Sequence, residues 1–445
     1  MPVAYAASAL SSRGWDEFQS AEYERAAETF ARLIAQFPEH PSAPQAALLR
    51  GTALERLNQA DEAAAAYQWI LANHLSSDVA PKALLATARL YDRQQKNAEA
   101  SASYEKLVQE YRKFAERDAA LYEWAWVLLE LDRGAEAEQQ FEQLRSEYPQ
   151  SKLAPDATFR LAERAGQRKD YDRATQLLTG LVSAEIEPAL LEHVLYTQGQ
   201  LAANREQWAE VTPPLERLQK EFPQSELRLL ADYWLAESAY RQKIYDAADK
   251  QFAALAEQTI GRQDNWVALT ALRRAQLAAR RDEWPLAQEL ASPIASLFPQ
   301  FEQQYEADYV LGRSLAGQAQ YQAAREAYAR VLNSPTGGKT ETAAMAQWMI
   351  GETFLHQKAY KEALKEFLRL EILFAYPTWQ SGALLQAGKC QELLGHVDQA
   401  AELYARVIKD FPTTEFATEA GERLKAVGGT LDRSAVRPRR DVKGS

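Results

Sequence analysis

Residues 351–367 read Gly351-Glu352-Thr353-Phe354-Leu355-His356-Gln357-Lys358-Ala359-Tyr360-Lys361-Glu362-Ala363-Leu364-Lys365-Glu366-Phe367. A small residue is followed twelve positions later by an alanine, and four positions after that by an aromatic ring. This arrangement decides the fold because it returns along the whole chain. The alanine position is occupied by Ala26, Ala63, Ala100, Ala137, Ala174, Val211, Ala248, Ala287, Ala324, Ala363 and Ala400. The first six steps are 37 residues each, and the last four are 39, 37, 39 and 37. Twelve residues earlier stands Gly or Ala in every copy, from Gly14 to Gly388; seven residues later stands an aliphatic, from Leu33 to Val407. Registers held over eleven copies mark a solenoid, in which each unit buries its apolar face against its neighbours.

Each period has room for two short amphipathic helices and a turn. In the fourth copy, Leu121, Trp124, Ala125 and Leu128 form one helical stripe. After the breaker Asp132-Arg133-Gly134, the residues Ala137, Phe141 and Leu144 form the next. The small residues let two backbones approach, and the aromatic four positions after the alanine is expected to fill the wedge between units. Pro38, Pro149, Pro223, Pro299 and Pro412 lie twelve residues after the alanine and stop the second helix. A last helix near Glu415 to Val427 would cap the array.

The spacing Gly351…Tyr360-x-x-Ala363-x-x-x-Phe367, with Gly312…Tyr321-x-x-Ala324-x-x-x-Tyr328, resembles the tetratricopeptide repeat (TPR). The resemblance implies an all-α, right-handed superhelical solenoid of about eleven helix-turn-helix repeats over residues 8–428. The links Phe37-Pro38-Glu39-His40-Pro41-Ser42, Tyr148-Pro149-Gln150-Ser151, Phe222-Pro223-Gln224-Ser225 and Phe411-Pro412-Thr413-Thr414 are similar to those of bacterial cell-envelope repeat proteins. Those include the lipoprotein of the outer-membrane β-barrel assembly machine and the periplasmic coordinator of the Tol–Pal system. That likeness implies a periplasmic or envelope-associated protein, with a cytoplasmic adaptor or chaperone-like module as the alternative.

Two copies depart from the pattern. Thr212-Pro213-Pro214 falls inside the sixth second helix, which is therefore expected to start late, with Thr212 as its cap. Ser292-Pro293 falls mid-helix in the eighth, where proline costs about 3 kcal/mol and kinks the chain. Together with the two-residue insertions near Gln258 and Ser334, these allow a change of superhelical pitch near residues 205–300, or simple drift.

A net charge of −11 disfavours nucleic acid as the principal ligand, since phosphate binding needs a basic stripe. No apolar run is long enough to cross a bilayer. The lone Cys390 provides neither disulfide nor metal cluster and reads as a core filler. Ala4-Tyr5-Ala6 has the small-x-small form of a signal-peptidase site, so residues 1–7 read as the remnant of a cleavage region. Residues 429–445 read as a disordered basic tail.

No catalytic constellation emerges, and no cofactor or metal is implied. The five histidines are scattered, with no His-Glu-x-x-His. Ser334-Pro335-Thr336-Gly337-Gly338-Lys339-Thr340 ends like a phosphate-binding loop but has Asn333 where Gly is required. The reading is a non-catalytic scaffold for a protein or peptide.

The family resemblance places first-helix side chains on the concave side of the superhelix, where partners lie. Fifteen residues before the alanine this register holds Tyr122, Phe159, Tyr196, Tyr233, Tyr309 and Trp348; one turn on it holds Trp126 and Arg313. These eight form the candidate partner-binding surface, as anchors or as packing between repeats. The Lys and Asn of carboxylate-clamp relatives are missing there. A glycan or peptidoglycan fragment on the aromatics is a further alternative.

Overall fold

Helix follows helix through the whole computed structural model, which describes residues 3–428; among them there are twenty-four helical segments and no strand. They form eleven successive pairs and a final helix, Phe416–Ala426, bounded by Glu415 and Val427 as the sequence suggests. The fold is the all-α repeat solenoid expected from the period. The basic tail lies outside the described residues. The first helix, Val3–Gln19, takes in residues that the sequence reading set apart, and Ala7 is fully buried in it.

The chain divides into two compact units at the Phe222-Pro223-Gln224-Ser225 link, with repeats one to six in the first and seven to eleven in the second. In the first, one continuous apolar strip runs from Leu84 to Leu201 through Trp124, Phe141, Phe159 and Leu178. In the second, clusters built around Phe252, Ile294, Tyr328 with Phe367, and Tyr404 follow one another along the chain. Such strips let a long chain bury apolar surface without a single large core.

Repeat four shows how the pattern becomes structure. Its helices, Arg117–Glu130 and Gly134–Glu147, bury Leu121, Trp124, Ala125 and Leu128 against Ala137, Phe141 and Leu144. The ring four residues after the alanine packs within its own repeat as well as toward the next, as Phe30 clusters with Ala43 and Ala46. A Cβ added at Gly14, Gly51, Gly312, Gly351 or Gly388 would meet the ring of Phe30, Tyr67, Tyr328, Phe367 or Tyr404 at 2.3–2.6 Å. The small residue is therefore the seat of the ring sixteen positions later.

The turn inside each repeat is built differently from the sequence expectation. Gly134 is the first residue of a helix, and Asp132 adopts the left-handed conformation, φ 56°. The same conformation recurs five residues before every alanine position, at Ala21, Asn58, Gln95, Asp132, Lys169, Glu206, Lys243, Asp282, Ala319, Lys358 and Gly395. Around Asn58 the Gln59 N–H donates to Leu54 O at 2.9 Å and the Asn58 N–H to Glu55 O at 3.0 Å. This is the paired hydrogen bonding that closes a helix on a left-handed residue. A β-branched side chain clashes there, so Asn58→Val should destabilise by about 1–2 kcal/mol in urea titrations, while Asn58→Gly should cost little. Equal midpoints for the two variants would contradict this turn geometry.

Two expectations on proline had opposite outcomes. Pro293 breaks its helix into Trp284–Ala291 and Ile294–Leu297. In repeat six, however, the helix does not begin at Thr212; it runs unbroken from Trp208 to Glu221 with Pro213 and Pro214 inside. Val211, Leu215 and Leu218 are all fully buried on that helix. Burial of this stripe outweighs the backbone hydrogen bonds that the two prolines cannot make.

Candidate functional site

Helical geometry puts side chains four positions apart on one face, one turn above another. On the first helix of repeat four this aligns Tyr122 and Trp126, with ring centroids 6.2 Å apart and both rings edge-on to Phe141 at 5.9 and 6.2 Å. Tyr122 is half-buried and its hydroxyl donates to Asp156 on the first helix of repeat five, Ala154–Gln167. Trp126 stays 37% exposed.

From repeat five, Arg160 covers part of this surface. Its guanidinium lies 5.2 Å from the Trp126 ring centre and 5.1 Å from that of Phe159. Asp156 and Glu163, one turn to either side, accept from it at 3.2 and 2.8 Å. Burial opposes its charge, but the two carboxylates outweigh burial and raise its pKa further. On the other flank, Arg89 of the first helix of repeat three, Ala80–Arg93, donates to both oxygens of Glu123 at 2.7 and 2.6 Å. The buried Tyr104 hydroxyl adds a third bond to Glu123 at 2.9 Å.

Half-exposed ion pairs contribute at most about 1 kcal/mol each, so these contacts do little to hold the fold together. They do fix the direction of each charged head. The result is a partly exposed indole between a clamped guanidinium and fixed carboxylates, the apolar-anchor and polar-rim arrangement that binding surfaces favour.

The other candidate residues are placed differently. Phe159 is buried beneath Arg160. Tyr196 is half-buried on Pro188–Asn204. Tyr233 is buried in the second unit among Trp234, Phe252 and Trp266, at 5.3–6.4 Å between ring centroids. Tyr309 is buried against Tyr328 at 5.9 Å, and burial pushes its hydroxyl pKa up to about 12. Arg313 stacks on Trp284 at 5.5 Å. Trp348 is half-buried between Phe367, Trp379 and Phe416. Tyr122, Trp126 and Phe159 are brought together in one place, whereas Tyr233, Tyr309 and Trp348 each belong to a separate aromatic cluster.

Sequence reasoning did not single out Arg160. The available signal was its place four residues after Asp156 and three before Glu163, a spacing that pairs charges on a helix. Its stacking on Trp126 comes from a helix 34 residues away in sequence, which no local pattern reveals.

Among the described residues no three His, Cys, Asp or Glu side chains could together hold a metal ion, and no helix is long and apolar enough to cross a membrane. Residues 334–340 form a turn after the helix Tyr321–Leu332, with Tyr305 packed on Gly337. Cys390 is fully buried; burial, then the Glu352 carboxylate, push its thiol pKa up to about 12. Native protein at pH 8 should therefore leave Cys390 unlabelled by a disulfide reagent, and urea should expose it together with loss of helix. Fast labelling of folded protein would contradict this packing.

Helix pairs that repeat along the chain, each packed on the next within its compact unit, define a helical-repeat solenoid. A family model described as tetratricopeptide repeat matches residues 12–74, 48–116, 85–152 and 309–378, and a second so described matches 382–414. Together they cover more than half of the chain, which belongs to the tetratricopeptide repeat family. The unmatched middle holds the copies with Val211, Pro213 and Pro293. Repeats of this family generally mediate protein–protein interaction, and proteins built from them are generally non-catalytic scaffolds.

Solved structures similar to this chain include Naa15/Naa10 bound to HypK-THB, at 14% identity and TM-score 0.45, covering 97% of this chain and 69% of that one. Another is a tetratricopeptide repeat protein from Parabacteroides merdae, at 19% identity and TM-score 0.36, covering 60% and 99%. A third is pilF of Pseudomonas aeruginosa, at 16% identity and TM-score 0.36, covering 50% and 95%. Likeness at this level carries nothing about partner or compartment. No curated protein matches the sequence.

Proposed function

We propose that the protein is a non-catalytic scaffold that holds a segment of a partner protein along the first helices of repeats three to five. One observation carries the reading: Trp126 remains exposed while Arg160 is clamped over it by Asp156 and Glu163. An anchor whose neighbours are already ordered loses little conformational entropy on binding. Arg89 and Glu123 offer a charged pair to the partner's backbone or side chains on the adjacent turn.

The test is affinity capture from a native extract, comparing the parent protein with Trp126→Ala and with Arg160→Ala. A partner recovered by the parent and lost from both variants, at unchanged melting temperature, supports the reading. A partner retained equally by all three overturns it.

We assign the scaffold to a bacterial cell envelope, on the periplasmic side. The support is the Phe/Tyr-Pro-x-Ser form of the links after repeats four and six and the Ala4-Tyr5-Ala6 sequence. Expression from the full gene, followed by fractionation and N-terminal sequencing, tests this. Periplasmic protein beginning near Ala7 is the expected result, and unprocessed cytosolic protein would refute the assignment.

A further inference from the structure

The second helix of repeat ten, Tyr360–Leu373, departs from the array on its outward face. One, five and nine positions after its alanine it carries Leu364, Leu368 and Ile372. No other repeat has a large aliphatic at any of these three positions; Ala27, Glu138, Gln68, Ser146 and Lys409 are typical occupants. The charge pattern is reversed as well. Two positions before the alanine, Glu24, Asp61, Asp172, Asp246 and Asp398 are common, whereas repeat ten has Lys361. Lys365 and Arg369 continue the basic row at intervals of four, one turn apart.

Leu364 and Leu368 are half-buried, while Ile372 is 75% and Leu373 58% exposed. Together with the three basic residues they line a depression of about 600 Å³. Arg369 faces Glu366 at 3.8 Å, but Lys361 and Lys365 make no ion pair among the described residues. The result is an aliphatic trough beside a basic row in which Lys361 and Lys365 carry no ion pair among the described residues, in a chain whose net charge is −11.

We propose that this face is a second docking surface, separate from the first-helix wall, for an acidic amphipathic helix of a partner protein. Leu or Ile side chains of that helix would fill the trough, and its Asp or Glu residues would face Lys361, Lys365 and Arg369. An amphipathic helix laid in an apolar groove uses anchors at this i, i+4 spacing. Charge complementarity selects an acidic partner, because like charges across an interface are strongly disfavoured. An anionic membrane is the weaker occupant: the chain as a whole is acidic, and two of the four aliphatics, Leu364 and Leu368, are recessed beside the exposed Ile372 and Leu373.

The test uses two displayed libraries of helical peptides, with aliphatics at i, i+4 and i+8 and either Glu/Asp or Lys/Arg along the flank. Binders should emerge from the acidic library only, and their affinity should fall as salt rises. Lys361→Glu with Lys365→Glu, and separately Ile372→Ser with Leu373→Ser, should each weaken binding by about tenfold or more at unchanged helical circular dichroism. Phosphatidylserine vesicles form the control arm. Failure of the acidic library to yield binders, binders indifferent to both double variants, or vesicle binding with this residue dependence in place of peptide binding would each overturn the proposal.

Discussion

Ala137→Glu should lower stability by about 3–5 kcal/mol, among the largest effects a single substitution can have. Ala137 is fully buried within the apolar strip that includes Phe141, Leu144 and Trp124. A glutamate there has no room in the apolar strip, so it must either bury its charge or push the two helices apart. Because repeats contact mainly their neighbours, the damage should stay within the first compact unit. Calorimetry should then show an early transition for that unit and a later one for repeats seven to eleven. A single transition at the parent temperature would show that the alanine register does not mark the interior.

Arg273→Met should cost about 3 kcal/mol or more, because it leaves a buried carboxylate short of a partner. Arg273 donates through Nε and Nη2 to both oxygens of Glu237 at 2.8 Å, and Glu237 is almost wholly buried. Arg241, which is more exposed, adds one bond at 2.7 Å. Burial by itself would raise the Glu237 pKa, but the two guanidinium groups outweigh it and hold the carboxyl below the usual range. Its contribution is thus fully present above the unfolded glutamate value of about 4.3 and disappears as pH falls through the lower folded value. In Arg273→Met that depression is largely removed, so the stability gap from the parent should narrow below about pH 4. Glu237→Leu combined with Arg273→Met should recover much of the loss, because an apolar pair leaves no orphaned charge. A gap that is constant from pH 3 to 7 would contradict the buried pairing.

Much of this organisation was legible in the sequence because a solenoid repeats its instructions. The alanine register located every second helix, the prolines located the links, and Pro293 located a break. The left-handed turn residues were not legible. Lys169, Glu206 and Gln95 carry no turn signal, and their conformation is imposed by the helices on either side. Thr212 misled for a related reason: a local proline preference yielded to the burial of Val211, Leu215 and Leu218.

The candidate surface was legible only in part. The register gave Tyr122 and Tyr233 the same position, yet Trp234 and Trp266 pack around Tyr233, while Tyr122 keeps an exposed neighbour in Trp126. Burial at equivalent positions depends on side chains in adjacent helices, which the repeat period does not specify. The same limit hid Arg160 behind an ordinary helical charge pattern.

Hydrogen–deuterium exchange on the protein with and without its captured partner tests the central claim most directly. If the partner lies along the first-helix wall, protection should appear in Ala80–Arg93, Arg117–Glu130 and Ala154–Gln167, and should be absent from the same experiment with Trp126→Ala. Protection confined to second helices, or persisting in these three segments with Trp126→Ala, would contradict it.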